Sequence, residues 1–90
     1  MQQFEVRLSK RTGATKTSQI YEQIAGAIEA GRLGAGDALT SERALAERLG
    51  VSRNIVRNAY RRLEERGLVE TVSTAGRRVS RGKARRKPRR

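Results

Sequence analysis

The sequence SERALAERLGVSRNIVRNAYRRLEER, from Ser41 to Arg66, predicts two helices joined by a tight turn. We expect the first helix over residues 42–49 and the second over residues 53–66. Apolar residues recur at three- and four-residue spacings and give each helix one face for a core: Leu45, Leu49, Val56, Ala59, Tyr60 and Leu63. This arrangement is typical of a helix-turn-helix, whose second helix can enter a DNA major groove.

The residues at the ends of these helices support the same prediction. Ser41 and Ser52 can each accept a backbone hydrogen bond as an N-cap. Gly50 stands where a left-handed residue lets the chain leave the first helix. Val51 can then fill the gap between the helices, and Ala46 is small enough to let them cross closely.

The outward face of the second helix consists of basic and amide side chains: Arg53, Asn54, Arg57, Asn58 and Arg61. Arginine can donate two hydrogen bonds to guanine and asparagine can pair similarly with adenine, so this face suits base reading. The alternative is an ordinary solvated surface. Such a surface usually includes glutamate, as at Glu64 and Glu65 one turn later, whereas this face contains no carboxylate. Arg53 and Arg57 also have no obvious partner within the chain.

Length and charge limit the possible classes of protein. The chain has 90 residues, enough for one small domain. Its 21 basic and 9 acidic residues give a net charge of +12, which indicates a polyanionic partner. Residues 81–90 contain seven basic residues and no acidic one, so residues 1–80 hold fourteen basic against nine acidic residues, a net charge of +5. We expect residues 81–90 to be a tail that is disordered without a partner.

Cysteine and histidine are absent, which excludes disulfides, thiolate zinc sites and most acid–base catalysis. We therefore expect no enzyme activity, no metal and no cofactor in this chain. No apolar run approaches the length of a membrane span, and the N-terminus is polar rather than a signal peptide. We expect a cytoplasmic, nucleoid-associated protein with no membrane partner.

The N-terminal part of the chain predicts an arm and a third helix. Residues 1–8 alternate between apolar and polar side chains, as in a short strand or an extended arm, and residues 9–16 predict a loop. A helix then begins near Thr17 or Ser18, either of which can cap it, and ends at Gly31. Isoleucines at four-residue spacing give this helix a buried stripe that completes a three-helix core: Ile20, Ile24 and Ile28.

The connector that follows is rich in glycine. The sequence GRLGAGD over residues 31–37 lacks the strand and the GK[ST] ending of a phosphate loop, so it predicts a plain turn. We expect Leu33 and Leu39 to return to the core.

The pattern changes period after the second helix of the helix-turn-helix. Residues 68–72 favour a strand that pairs with residues 77–80 across a turn at residues 73–76. A hairpin in this place is a wing, on which Arg77 and Arg78 would meet phosphates or a minor groove.

The predicted fold class is mainly α with a small β-hairpin: a winged helix-turn-helix, with a three-helix core plus a wing. Residues 17–80 form this DNA-binding domain. Residues 1–16 form an N-terminal arm or a short strand and loop, and residues 81–90 form a basic disordered tail or an interdomain linker.

The sequence from Ile20 to Glu70 resembles the winged helix-turn-helix domain of the GntR family of bacterial transcription regulators, and the resemblance covers roughly residues 17–80. The shared motifs occur in order: YEQI, G-x-L-x-x-G-D-x-L, S-E-R-x-L-A, L-G-V-S-R and R-L-x-x-x-G-L-V-E. VSRN, AYRRL and the lead-in FEVRL are similar to the MocR-like branch, in which a pyridoxal phosphate domain follows. Two departures stand out. The family usually has proline where this chain has Thr40, and a wing tip G-x-G-T-F-V where this chain has TAGRRV over residues 74–79.

The resemblance implies roles for individual residues. Ser41, Glu42 and Arg43 would lie at a helix start against the DNA backbone, with Arg43 making the most direct contact. Arg53 and Arg57 match the positions that read guanine.

Two further positions each keep two interpretations. Asn54 can read a base or bind a phosphate. Gly76 can allow a close approach to the minor groove, or can simply make a turn. The complete set of predicted DNA-binding residues is Ser41, Glu42, Arg43, Ser52, Arg53, Asn54, Arg57, Asn58, Arg61, Gly76, Arg77 and Arg78.

The resemblance also implies a C-terminal domain that binds an effector and forms a dimer. Nothing after Ser80 could do either, so we expect an isolated DNA-binding domain or a short protein without a sensor. Dimerisation would use the absent domain, and pyridoxal phosphate could belong only there. The predicted function is sequence-specific binding of double-stranded DNA in bacterial transcription regulation, as a repressor or activator. The alternative is sequence-neutral nucleic-acid binding driven by the basic tail.

Overall fold

The structure is a computed structural model that describes residues 6–9, 13–73 and 76–80. Within these ranges, three helices precede a two-stranded antiparallel sheet. The elements are α1 Lys16–Glu29, α2 Glu42–Leu49, α3 Arg53–Glu65, β1 Val69–Ser73 and β2 Gly76–Val79. The predicted architecture, a three-helix core with a wing, is confirmed.

The turn between α2 and α3 has the predicted caps. The Ser41 hydroxyl accepts a hydrogen bond from the Ala44 backbone N–H at 3.1 Å, and the Ser52 hydroxyl accepts one from that of Ile55 at 3.4 Å. Gly50 has φ 72°, in the left-handed region where a side chain is strained. Ser41 therefore fixes where α2 begins, and Gly50 and Ser52 fix where α2 ends and α3 begins.

The start of α1 differs from the prediction. The cap is Thr15, whose hydroxyl accepts from the Ser18 N–H at 3.1 Å, so neither Thr17 nor Ser18 serves as the cap. The Thr17 hydroxyl instead donates to the carbonyl oxygen of Ile55 at 3.3 Å. The helix therefore begins earlier than predicted, and the Thr17 hydroxyl joins the first turn of α1 to the first turn of α3 instead of acting as a cap.

One core lies between the three helices and the base of the wing. Its most deeply buried side chains are Tyr60, Ile20, Ile24, Leu45, Leu63, Val56 and Val79. Leu33 and Leu39 are also buried, as predicted. Burial of these apolar surfaces is the main force that holds α3 in place and leaves its opposite face exposed.

Polar contacts also join α1 to α3. The Arg62 guanidinium lies 4.3 Å from the centre of the Tyr21 ring, and Arg62 Nη1 donates to the Ser18 hydroxyl at 3.3 Å. Arg66 donates to the Tyr21 hydroxyl. These contacts use the side of α3 that faces away from Arg53 and Arg57.

Two glutamines of α1 hold the N-terminal segment. The Gln23 amide bonds both the N–H and the C=O of Arg7, at 2.9 and 2.6 Å. The Gln19 amide bonds both backbone groups of Ser9, at 2.7 and 2.9 Å. Residues 6–9 form no strand, so of the two predicted alternatives the arm fits this segment, and Val6 is buried against the core. The rest of the predicted arm lies outside the described residues.

The connector between α1 and α2 is more than the plain turn predicted. The Leu39 N–H donates to the carbonyl oxygen of Arg77 at 2.8 Å, and the Val79 N–H donates to that of Asp37 at 2.8 Å. Ala38 forms an antiparallel bridge with Arg78. The connector therefore pairs with the free side of β2 and fixes the base of the wing to the core.

The wing itself is the predicted hairpin. Val69 pairs with Val79 and Thr71 pairs with Arg77, and the register shifts between Thr71 and Ser73. The predicted turn spans residues 73–76, but Ser73 pairs with Gly76, so these two residues belong to the strands. Residues 74 and 75 lie outside the described ranges, as do residues 81–90, so the predictions for them stay predictions.

Candidate nucleic-acid interface

The exposed face of α3 carries the side chains predicted to read bases. The Arg53 side chain is 59% exposed and that of Arg57 is 43% exposed. Asn54, Asn58 and Arg61 lie on the same helix and are also exposed. The core holds α3 from behind, so these donors stand on a rigid element and can reach a partner in the solvent.

A carboxylate from α2 also lies at this face. Glu42 Oε1 is 3.3 Å from Arg57 Nε and 4.0 Å from Arg53 Nη2. The prediction that the two arginines have no partner within the chain is therefore wrong. The α3 sequence alone could not reveal this contact, because Glu42 reaches it from the start of the preceding helix.

The same glutamate contacts the wing. Arg77 Nη1 lies 2.7 Å from Glu42 Oε2, and Arg77 Nε lies 2.7 Å from Glu64 Oε2. The Arg77 guanidinium also lies 5.2 Å from the centre of the Tyr60 ring. Only 15% of the Arg77 side chain is exposed. Arg77 therefore differs from the prediction that it meets phosphates, since its charged end faces the helices.

We call these five residues the Glu42 cluster: Glu42, Arg53, Arg57, Glu64 and Arg77. Burial raises the pKa of the Glu42 carboxyl, but hydrogen bonds from Arg77 and Arg57 together with their charges lower it further, so the pKa lies below its ordinary value. Burial likewise raises the pKa of Glu64, and hydrogen bonds from Thr71 and Arg77 bring it below its ordinary value. Both carboxylates are therefore charged at neutral pH.

The charge of Arg77 is held by the same contacts. Burial lowers the pKa of its guanidinium, whereas the hydrogen bonds to Glu42 and Glu64 raise it by more, so the pKa lies above its ordinary value. The cluster thus places two carboxylates between three arginines. The pairs of Glu42 with the exposed Arg53 and Arg57 contribute little stability, so their main effect is on side-chain orientation.

The outer side of the wing carries Arg78. Its Nε lies 2.7 Å from Glu70 Oε2 across the hairpin, and its side chain remains 41% exposed. Gly76 begins β2 and pairs with Ser73 of β1, so it lies in a strand. Val72 beside the tip is 56% exposed. Arg78 is thus a wing arginine that a partner can reach.

The start of α2 presents another basic side chain. The Arg43 side chain is 76% exposed, and its Nε lies 3.5 Å from Oε2 of Glu47, one turn further along the helix. Ser41 and Ser52 use their hydroxyls as caps, yet Ser52 remains exposed and Ser41 half-buried. Within the predicted DNA-binding set, the Glu42 carboxylate contacts Arg53, Arg57 and Arg77. The side chains of Glu42 and Arg77 are each only 15% exposed. The DNA contacts predicted for the set stay predictions.

Three helices, a glycine turn between the last two, and a hairpin packed behind them define a winged helix-turn-helix domain. The family described as bacterial regulatory proteins, gntR family, matches residues 16–79. The chain belongs to this family.

Two proteins that are similar in sequence are also transcriptional regulators. The HTH-type transcriptional regulator Mce2R of Mycobacterium tuberculosis is 54% identical over 52 residues, which are 58% of this chain and 22% of that protein. The HTH-type transcriptional regulator Rv1152 of the same species is 37% identical over 76 residues, 84% of this chain and 63% of that protein. This chain therefore spans only part of the length of each relative.

Solved structures share the fold. YtrA from Sulfolobus acidocaldarius, a GntR-family transcription factor, superposes with a TM-score of 0.76 at 32% identity, covering 84% of this chain and 80% of that chain. AraR(DBD) in complex with operator ORX1 superposes with a TM-score of 0.71 at 28% identity, and the match covers 86% of this chain and 96% of that chain. None of these relatives supports the narrower MocR-like resemblance, so the assignment is to the family as a whole.

Two negative findings concern other kinds of site. Among the described residues, no helix is both long enough and apolar enough to cross a membrane. The same part of the chain brings together no three histidine, cysteine, aspartate or glutamate side chains that could hold a metal ion.

Proposed function

We propose that this chain is the DNA-binding domain of a bacterial transcription regulator and that α3 reads bases in the major groove of double-stranded DNA. The observation that carries the proposal is the exposed row of arginines and asparagines on α3, opposite its buried face. These side chains have the donor and acceptor geometry that distinguishes base pairs in that groove. The complex of AraR(DBD) with its operator supports DNA binding by a related fold.

The remaining contacts would be made by the two elements that flank α3. Arg43 and the capped start of α2 can meet the phosphate backbone, where the helix dipole favours negative charge. Arg78 on the wing can meet phosphates or the adjacent minor groove. We assign Arg77 to the support of the interface rather than to direct contact.

A selection of bound duplexes from a random pool tests the proposal. We expect an enriched motif in which base preference depends on Arg53 and Arg57. Half-sites at a fixed spacing would further indicate that two domains bind together. Failure to enrich any motif would overturn the proposal.

The competing function is sequence-neutral binding, which the net charge of +12 favours. Competition between the enriched duplex and unrelated duplex at several salt concentrations separates the two. A neutral binder would be displaced equally by both, because its affinity comes from counterion release alone. A specific binder would keep a preference for the enriched duplex at each salt concentration.

The whole regulator would contain a further domain in addition to this one. We propose that effector binding and dimerisation belong to a C-terminal domain, and that this chain needs no cofactor and catalyses no reaction. Pyridoxal phosphate would be relevant only to such a further domain. A DNA-bound regulator would be located in the cytoplasm, with the nucleoid. Sedimentation of the chain should give a monomer at micromolar concentration, and a tight dimer would contradict the assignment of dimerisation.

A further inference from the structure

The two oxygens of the Glu42 carboxylate have different partners. Oε2 accepts from Arg77 Nη1 at 2.7 Å, whereas Oε1 faces α3 and accepts from Arg57 Nε at 3.3 Å. The Glu42 side chain is 15% exposed, so few water molecules can replace either partner. The carboxylate cannot turn towards Arg57 or Arg53 without breaking its shorter bond, which is the one to Arg77.

Arg77 is itself fixed from several sides. Its Nε is held by Glu64, and its guanidinium lies beside the Tyr60 ring. Its carbonyl oxygen accepts from the Leu39 N–H, so its backbone is fixed as well as its side chain. Arg77 therefore holds the Glu42 carboxylate at a set position between the wing and α3.

The position of Glu42 in turn sets the plane of the Arg57 guanidinium. Glu42 takes the Nε–H, and the Asn54 side-chain oxygen lies 3.4 Å from Nη1. The outer donors of the guanidinium remain available, and bidentate pairing with guanine needs two such donors in one fixed plane. An arginine already held in that plane loses less conformational entropy on binding.

We propose that Arg77 is a positioning residue, which orients Arg57 for base reading through the carboxylate of Glu42 that both arginines share. The wing and α3 would then recognise DNA as one unit, even though Arg77 does not touch DNA. This inference rests on the proposed function, because it requires Arg57 to read a base.

Two matched substitutions on β2 test the inference. Arg77→Met removes the charge but keeps an apolar stem that can pack on Tyr60. Arg78→Met removes the same charge from the next residue, whose partner is Glu70 rather than Glu42. Dissociation constants are measured for the enriched duplex and for a random duplex at one salt concentration. Circular dichroism checks that each variant is folded.

We expect Arg77→Met to lower the ratio of specific to random affinity by about tenfold, through the base pair that Arg57 reads. Arg78→Met should weaken binding to both duplexes by similar factors and leave the ratio unchanged. Arg57→Ala should cost less specificity in the Arg77→Met background than in the original chain, since the two residues act through one shared carboxylate. Three results would each overturn the inference. They are additive effects of Arg57→Ala and Arg77→Met, an unchanged ratio of specific to random affinity in Arg77→Met, and an equal loss of that ratio in Arg78→Met.

Arg77→Lys provides a second variant in case Arg77→Met does not fold. Lysine keeps the charge but has a single nitrogen, which cannot hold Glu42 and Glu64 with the two-sided geometry of arginine. We expect unchanged affinity for the random duplex with a reduced ratio, and an unchanged ratio would again overturn the inference. If the original chain shows no preference for any duplex, the proposed function fails and this inference with it. A preference that survives loss of Arg77 contradicts this inference alone.

Discussion

The Tyr60 hydroxyl donates to the carbonyl oxygen of Thr40 at 2.6 Å and so ties the middle of α3 to the residue before the α2 cap. Burial raises the pKa of Tyr60 above its ordinary value, so the hydroxyl keeps its proton and remains a donor. The Tyr60 ring also lies beside Arg77. One tyrosine therefore helps to set the position of both helices of the motif and of the wing.

Replacement of Tyr60 by phenylalanine should lower the free energy of unfolding by about 1 kcal/mol, because the Thr40 carbonyl loses its partner in a partly buried place. Urea denaturation measures the change. Tyr21→Phe is the matched control, since the partner of that hydroxyl is Arg66, an exposed residue that water can solvate. Equal losses in the two variants would contradict the importance of the Thr40 contact.

Alanine at Arg53 or Arg57 should weaken binding to the enriched duplex by about 1–3 kcal/mol and relax preference at one base position. The fold should survive, because neither side chain belongs to the core. Titration by fluorescence anisotropy measures affinity, and circular dichroism measures helix content. Arg48→Ala removes one positive charge from the exposed end of α2 and serves as the control. A folded Arg57→Ala variant with full affinity would show that α3 does not read bases in this way.

Two glycines should respond in opposite directions to alanine. Gly26 lies on the exposed side of α1 without a positive φ, and a Cβ there would meet nothing within 4 Å. Gly26→Ala should therefore stabilise the fold by about 0.5–1 kcal/mol. Gly50→Ala should destabilise it by about 1–2 kcal/mol, because its φ of 72° strains a side chain. Thermal unfolding compares the two, and a change of the same sign in both would refute the distinction.

Acid should destabilise the protein through Glu42 and Glu64. Both have pKa values below the ordinary value when folded, so the unfolded chain binds more protons in this range and stability rises with pH. The contribution is complete above about pH 5 and is lost as pH falls through about 4 and below. Stability measured from pH 3 to pH 7 should fall less steeply in a Glu42→Gln, Glu64→Gln variant. Glu47→Gln, at a residue 72% exposed, should keep the original acid profile.

The composition of residues 81–90 predicts that the tail contributes affinity without specificity. A chain that ends at Ser80 should bind the enriched and the random duplex more weakly by similar factors. The slope of log affinity against log salt should fall by about 0.9 for each phosphate that the tail neutralises in the original chain. Titrations of both chains at several salt concentrations test this. A weakening confined to the enriched duplex would instead make the tail a sequence reader, as for arginine in a narrow minor groove.

The helix-turn-helix could be predicted from sequence because local chemistry decides it. Ser41, Gly50 and Ser52 each act on backbone groups within a few residues, so their positions reveal the turn without any knowledge of the tertiary fold. The cap of α1 is harder to predict because hydroxyls occur at Thr15, Thr17 and Ser18, and the choice depends on a contact with α3.

The contacts of Glu42 and Arg77 could not be predicted in the same way. They are far apart in sequence, and arginine on a hairpin beside a helix-turn-helix ordinarily suggests contact with DNA. The strand-like pairing of the connector could not be predicted either, because glycines at 34 and 36 favour a turn, while its partner in β2 follows two whole helices later. Both features depend on tertiary packing, for which one sequence carries no local signal.

The bond between the Leu39 N–H and the Arg77 carbonyl has a consequence for the order of folding. The chain between these two residues contains the whole of α2 and α3, so the bond closes a loop around the helix-turn-helix. The entropy of closing that loop is lost before the bond can form, unless the two helices have already brought its ends together. The hairpin can form locally, but its attachment to the connector must follow the docking of α2 on α3. The wing therefore becomes attached to the connector last, after α2 and α3 have docked.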